Sequence, residues 1–344
     1  MTMPGKNYDF LDLLKMVLIL MVLAIHAPLS TGISMGGIDL AIPIFRMAVP
    51  LFFLMSSYFF FGKYQRCDGE GRRVALLKFI KRNLFLYLIW FVICLPVTVY
   101  LKWDWWFGGG LLKGCVCFFL NVFFGGTFFA SWFIMALVIA TAGAVFLSRK
   151  FGNRMLLFVG IAMYAVAIFS SCYSPVIAGI RESPLTRGFV LLAPNSFLSA
   201  FVWVVMGKIV AEKGYKASRL TGILAVVSMM LYFAEAIFVA RFVGRTACDC
   251  YVSLMPVCFS AFVFLKNVSV SIPYSKVLRS MSTVFYVLHG SAFVVIAIVL
   301  GRVGVADPRH IIKYLLGCVV CILAFLILRF LSRMEKLSWL KYAY

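Results

Sequence analysis

Apolar residues along this chain gather into ten runs of about 17 to 24, the length an α-helix needs to cross a bilayer. They fall near residues 9–29, 39–62, 79–101, 131–148, 154–172, 196–212, 219–241, 251–266, 281–300 and 311–331, with polar connections between them. The pattern predicts an all-α polytopic membrane protein of about ten transmembrane helices, forming one integral-membrane domain over residues 1–344. A further apolar stretch, Leu111 to Phe124, is short and interrupted, which suits an interfacial or re-entrant helix better than a full crossing.

The first run, DFLDLLKMVLILMVLAIHAP, is almost pure hydrocarbon yet carries Asp12, Lys15 and His26. Lys15 and His26 stand eleven residues apart, which at 100° per residue is three turns plus about 20°, so a helix shows both on one face. A rise of about 1.5 Å per residue separates them by roughly 16 Å, putting one near each end of the span. The plainer reading is that the lysine snorkels to the headgroups and the histidine rests in the interface.

Composition agrees with the pattern. Of 344 residues 64% are hydrophobic and 13% charged, and the mean hydropathy exceeds +1, outside the range of soluble globular domains. The formal net charge of +21 would suggest nucleic acid in a soluble protein, but here the charges cluster in short connections, as the positive-inside rule describes. One set of connections and the two ends hold about twenty-two basic residues against about nine on the other side, which predicts cytoplasmic termini. The first span lacks an A-x-A-like cleavage site and reads as a retained helix, and neither end is expected to carry a soluble domain. Three scattered histidines and ten cysteines make no zinc-ligand grouping, so no metal is expected. A disulfide among Cys115, Cys117, Cys172, Cys248 and Cys250 stays open.

That orientation makes two outer connections long: 101–130, aromatic and glycine-rich (WDWWFGGG, FFGGTFF), and 173–195, with three prolines and Arg181, Glu182 and Arg187. It also sorts the polar residues by depth. Lys15, Ser57 and the cluster Lys78, Lys81 and Arg82 fall toward the cytoplasm; His26, Arg46, Trp132 and Glu235 fall toward the outside, and His289 lies near the middle of the ninth span. Each has a plainer reading. The span-three cluster can be positive-inside anchoring, Ser56 and Ser57 small packing residues, Trp132 an aromatic-belt residue, and His289 a hydrogen-bonded packing histidine. Arg46 and Glu235 lie too deep to be left without partners, while His310, beside Asp307 and Pro308, reads as solvated.

In order along the chain, Lys15 to His26, RMAVPLFFLMSSYFFF, FIKRNLFLYLIW, SWFIMAL and STVFYVLHG together resemble the membrane-bound acyltransferase-3 family, from about Tyr8 to Leu331. The resemblance implies ten helices in a bacterial inner membrane. It also implies transfer of a short acyl group, usually acetyl, from cytoplasmic acyl-CoA to a hydroxyl of a cell-surface glycan or lipid-linked saccharide. It places the family's basic residue and histidine on Lys15 and His26, its third-helix basic motif on Lys81 and Arg82 with Lys78 adjacent, and its tryptophan on Trp132. Lysine replaces the commoner arginine at Lys15, Ser57 stands where glycine is usual, and Phe85 occupies a position often basic.

The chemistry suits those residues. Acyl-CoA carries several phosphate charges, which Lys15, Lys78, Lys81 and Arg82 would attract, with Ser57 at the same level. Its long thin arm would bring the acyl carbon toward His26, which would act either as base on the acceptor hydroxyl or as a transient acyl carrier. Arg46 would stabilise the oxyanion and Glu235 orient or balance charge, with Trp132 and His289 completing the pocket. The expected partners are acyl-CoA, the saccharide and membrane lipid, with no nucleic acid. The alternative is a transporter domain, for example for amino-acid uptake, as in the membrane part of serine racemases; a structural or sensory bundle needs no charge buried at two depths.

Overall fold

In the computed structural model, the described residues are 8–27, 29, 34–35, 38–177, 193–244, 248–305 and 310–344. The expected charges Arg181, Glu182, Arg187 and Asp307 lie outside them. Twelve α-helices occupy the described residues: α1 Asp9–His26, α2 Ala41–Arg46, α3 Ala48–Tyr64, α4 Gly69–Phe107, α5 Leu111–Phe123, α6 Trp132–Leu147, α7 Asn153–Ser170, α8 Phe197–Lys213, α9 Arg219–Phe238, α10 Leu254–Leu265, α11 Ser275–Arg302 and α12 His310–Leu331. The sheet content of the described residues is one antiparallel pair, β1 Ser34–Met35 with β2 Ile38–Asp39. Every one of the ten apolar runs holds helix, and among the described residues six helical stretches are long and apolar enough to cross a membrane: Ala41–Tyr64, Gly69–Asp104, Asn153–Ser170, Arg219–Val243, Ser275–Arg302 and His310–Leu331. Helix α5 occupies the expected short stretch.

Two boundaries differ from the sequence reading for a physical reason. The third run, expected over 79–101, is the interior of a 39-residue helix, because charged residues are good helix formers and continue the ladder beyond the apolar part. Asp68 opens it by accepting the amide of Gly71 at 2.8 Å, and three glycines, Gly108 to Gly110, close it, the last at φ 96°. Pro96 lies inside without ending the helix. The ninth run likewise extends to the 28 residues of α11.

The chain divides into two compact units. The first takes the described residues within Met1–Leu29, Lys81–Ile134 and Ser269–Tyr344. In it α11 packs against both α1 and α12. Ser275 donates to Asp9 at 2.7 Å and Tyr314 to the Leu20 carbonyl at 3.4 Å. The C-terminal 3-10 turn, Glu335–Ala343, closes on α4, where Trp90 Nε1 donates to the Ala343 carbonyl at 2.9 Å.

The second unit takes the described residues within Ser30–Ile80 and Met135–Val268. Its centre is α8, packed on α3 and α7, with a side that is nearly all buried, including Trp203, Val204 and Val205. Backbones come close at Gly207, where a Cβ would stand 2.6 Å from the Leu54 carbonyl and 2.8 Å from Ser57 Cβ. A small residue is therefore required on α8, the usual device for close helix packing in lipid. Ser196 caps α8 by accepting the Leu198 amide at 3.2 Å, and Ser218 with Thr221 makes a reciprocal capping box at α9.

Candidate functional site

The first unit builds the site on α1 and α11, which run side by side in the same direction: Asp9 meets Ser275, Asp12 meets Arg279, and His26 meets His289. The polar seam of α1 thus lies along one helix, with a charged cluster at one end and two imidazoles at the other.

At the charged end Asp12, buried, joins two cations. Lys15 Nζ stands 3.0 Å from its Oδ1 and Arg279 Nη1 3.5 Å from its Oδ2. Arg82 on α4 lies within electrostatic reach of both Lys15 and Arg279. Three cations around one carboxylate leave an excess of positive charge, and Arg82 and Lys81 are exposed. Such a cluster suits a polyanion better than a single counterion. Lys78, also exposed, precedes them in the sequence and belongs to the second unit. Sequence reasoning assigned Lys15 and Arg82 here and missed Asp12 and Arg279.

At the other end the imidazoles of His26 and His289 stand 5.2 Å apart between centroids. His289 is fully buried. Its Nδ1 lies 2.8 Å from the Tyr286 carbonyl and 3.1 Å from that of Phe285. Carbonyls only accept, so Nδ1 carries the proton and Nε2 presents a lone pair. That Nε2 is buried with no hydrogen-bond partner among the described residues. His26 is exposed, so the pair has an accessible member and a shielded one. The sequence placed His289 at mid-depth and His26 near one end; the ring contact puts them at a common level.

A loop closes over the pair. Phe129 stands edge-on to His26 at 4.9 Å and to His289 at 5.6 Å. The loop is held by Tyr87 and Thr127 at 2.6 Å, by Lys102 donating to the Gly126 carbonyl at 2.8 Å, and by Tyr286 donating to the Ala130 carbonyl at 2.8 Å. Gly125, Gly126 and Ala130 all have positive φ, so the chain turns sharply on both sides of Phe129. Trp132 follows at the start of α6, next to Phe133, whose ring packs on Tyr286 at 5.1 Å.

The remaining candidates lie in the second unit and have other partners. Ser57 is fully buried and donates to the Val204 carbonyl at 2.5 Å, inside the α3–α8 crossing. Arg46 ends α2 and pairs with Asp249. Glu235 caps α10: its carboxylate accepts the amides of Val252 at 2.8 Å and Ser253 at 2.7 Å, the Ser253 hydroxyl, and the Tyr173 phenol at 3.0 Å. Burial, and then the Glu235 carboxylate, push the Tyr173 phenol above its usual pKa, so it remains a donor. Glu235→Gln removes a charge that complements a helix N-terminus and is expected to lower stability by about 1–2 kcal/mol, read as a lower melting temperature in detergent. A variant that melts like the parent would remove this capping role. Of the five cysteines considered for a disulfide, Cys115, Cys117, Cys172 and Cys250 are free thiols, Cys172 and Cys250 being buried, and burial pushes the Cys250 thiol up to about 12.

No solved structure matches this chain. It is 22% identical to an amino-acid racemase of Enterococcus faecalis over 276 residues, 76% of this chain and 36% of the racemase. A second Enterococcus faecalis amino-acid racemase is 24% identical over 83% of this chain and 41% of its own length. A serine/alanine racemase of Enterococcus gallinarum is 24% identical over 67% and 33%. The chain spans well under half the length of these curated relatives. The family model described as an acyltransferase domain matches residues 8–330, nearly all of the chain, which therefore belongs to the acyltransferase-3 family.

Proposed function

We propose that this chain transfers a short acyl group, acetyl in the first instance, from acyl-CoA at the cytoplasmic face to a hydroxyl of an extracytoplasmic glycan or lipid-linked saccharide. It does so as a ten-span protein of a bacterial inner membrane with both termini in the cytoplasm. The observation that carries this reading is the α1–α11 seam, with excess positive charge around Asp12 at one end and an imidazole pair at the other.

The CoA phosphates bind Lys15, Arg82 and Arg279, with Lys81 adding long-range attraction. The thin pantetheine arm covers the roughly 16 Å between the two ends of the seam. At the far end His26 takes the proton of the acceptor hydroxyl as its oxygen attacks the thioester carbon. The carbon–sulfur bond breaks, the ester bond forms, and the proton passes to the departing thiolate. In the carrier variant of the same step, His26 nitrogen takes the acyl group first and yields it to the hydroxyl. The His289 Nε2 lone pair accepts a hydrogen bond from His26 or from the incoming hydroxyl and orients it. Trp132 and Tyr286 brace the loop side of the pocket. Glu235 and Ser57 act as positioning and packing residues, since their polar atoms are committed to the α10 N-terminus and the Val204 carbonyl, and Arg46 pairs with Asp249 through Nη1.

Purified protein given radiolabelled acetyl-CoA and a lipid-linked glycan extract tests the reading: label on saccharide supports it, and none overturns it. Arg82→Ala should raise the KM for acetyl-CoA about tenfold with kcat little changed, because a phosphate contact far from the reacting carbon contributes uniform binding; an unchanged KM would move the phosphate site elsewhere. A second reading, in which the chain moves an amino acid, takes up the substrate class named in the racemases it matches. Accumulation of labelled serine or alanine in vesicles, with no labelled saccharide, would select it.

A further inference from the structure

We propose that Phe129, seated in the notch left by Gly290, sets the length of acyl group this site accepts; the proposal rests on the transferase reading above. The notch is unusual in how completely it is filled. A Cβ built at Gly290 would lie 1.8 Å from Cδ1 and 2.1 Å from Cγ of Phe129, so the ring occupies the space a side chain next to His289 would take. The same ring meets both imidazoles edge-on, at 4.9 and 5.6 Å.

Its position is enforced rather than accidental. Flanking it, Gly126 and Ala130 have φ of 84° and 63°, and their carbonyls are held by Lys102 and Tyr286 at 2.8 Å each. Phe128, next to it, is 1% exposed while Phe129 is 37% exposed, so one phenyl anchors the loop in the core and the other is left against the histidines.

Acyl transfer at His26 requires the carbonyl carbon within about 3–3.5 Å of the reacting atom. Around His26 the buried side is taken by His289 and Phe129, and the open side is needed by the saccharide. An acetyl methyl ends one bond, about 1.5 Å, beyond the carbonyl carbon. Each added carbon carries the tail toward the phenyl ring, which the turns on either side keep from yielding. Removing the ring opens that direction while both histidines keep their own side chains.

The experiment compares transfer of radiolabelled acetyl, butyryl and hexanoyl groups from their CoA thioesters to a lipid-linked saccharide extract, by the parent, Phe129→Ala and Phe129→Leu. The kcat/KM ratio of butyryl to acetyl should rise about tenfold or more in Phe129→Ala, since one methylene discriminated by a packed apolar site is worth about 10- to 200-fold. Phe129→Leu should show a smaller rise, and it decides alone where the alanine protein fails to insert. Unchanged ratios in both variants, loss of all transfer in both inserted variants, or a parent indifferent to chain length would each overturn the proposal. A parent that uses acetyl-CoA while the variants keep its profile sinks the ruler alone; a parent that transfers no acyl group sinks the transferase reading with it.

Discussion

His26→Ala protein is expected to insert, purify and melt like the parent and to lose acetyl transfer by about 10²- to 10⁴-fold, the range a positioned acid–base group contributes. Stability should hold because His26 is exposed at the end of α1, so truncating it leaves no buried cavity. Activity should fall because the imidazole beside it, His289, has Nδ1 committed to the carbonyls of Tyr286 and Phe285 and is fully buried. A histidine locked in this way can accept a hydrogen bond but cannot swing out to meet a saccharide. His26→Gln should not rescue, since an amide nitrogen neither takes a proton near neutral pH nor carries an acyl group. KM for acetyl-CoA should stay near the parent value, because the phosphates bind at the other end of the helix. Transfer that survives in His26→Ala would remove the histidine from the mechanism, whatever the fate of the cationic cluster.

The parts of this arrangement legible in the sequence are those written in local pattern. Apolar length located helix in all ten runs, and helical periodicity put Lys15 and His26 on one face, where both ends of the seam indeed lie along α11. Charge and spacing could not name the partners. The sequence names Asp12 in the first run without a partner and leaves Arg279 among the basic residues of the connections; the parallel packing of α1 on α11 joins them. Phe129 was still less visible, one aromatic among many in a glycine-rich connection. The one sequence signal for it was Gly290 directly after His289, a small residue in a helix interior whose purpose is the ring that fills its place. Helix ends were misread where charged residues extend α4 and α11 beyond their apolar cores, since hydropathy measures the membrane and not the hydrogen-bond ladder. Arg46 and Glu235 were rightly expected to have partners, and depth alone could not say that these would be Asp249 and the start of α10.

Asp12→Ala is expected to cost about 3 kcal/mol of stability, the low end of what removing one partner from a buried ion pair costs. The side chain of Asp12 is 8% exposed and that of Lys15 18%, so the ammonium would be left in a poor solvent without its counterion. Arg279, at 52% exposed, can turn to water and lessens the loss. Arg82 acts on the same ammonium and would add to the repulsion. Pairing the change with Lys15→Met should recover part of the deficit, so that the double variant is more stable than the sum of the singles predicts. CoA in the buffer should raise the melting temperature of Asp12→Ala more than that of the parent, because a polyanion bound among Lys15, Arg82 and Arg279 replaces the missing carboxylate. An Asp12→Ala protein that melts with the parent, or one that CoA does not stabilise, would show that these cations do not depend on a shared anion, and the phosphate site would have to be sought away from α1.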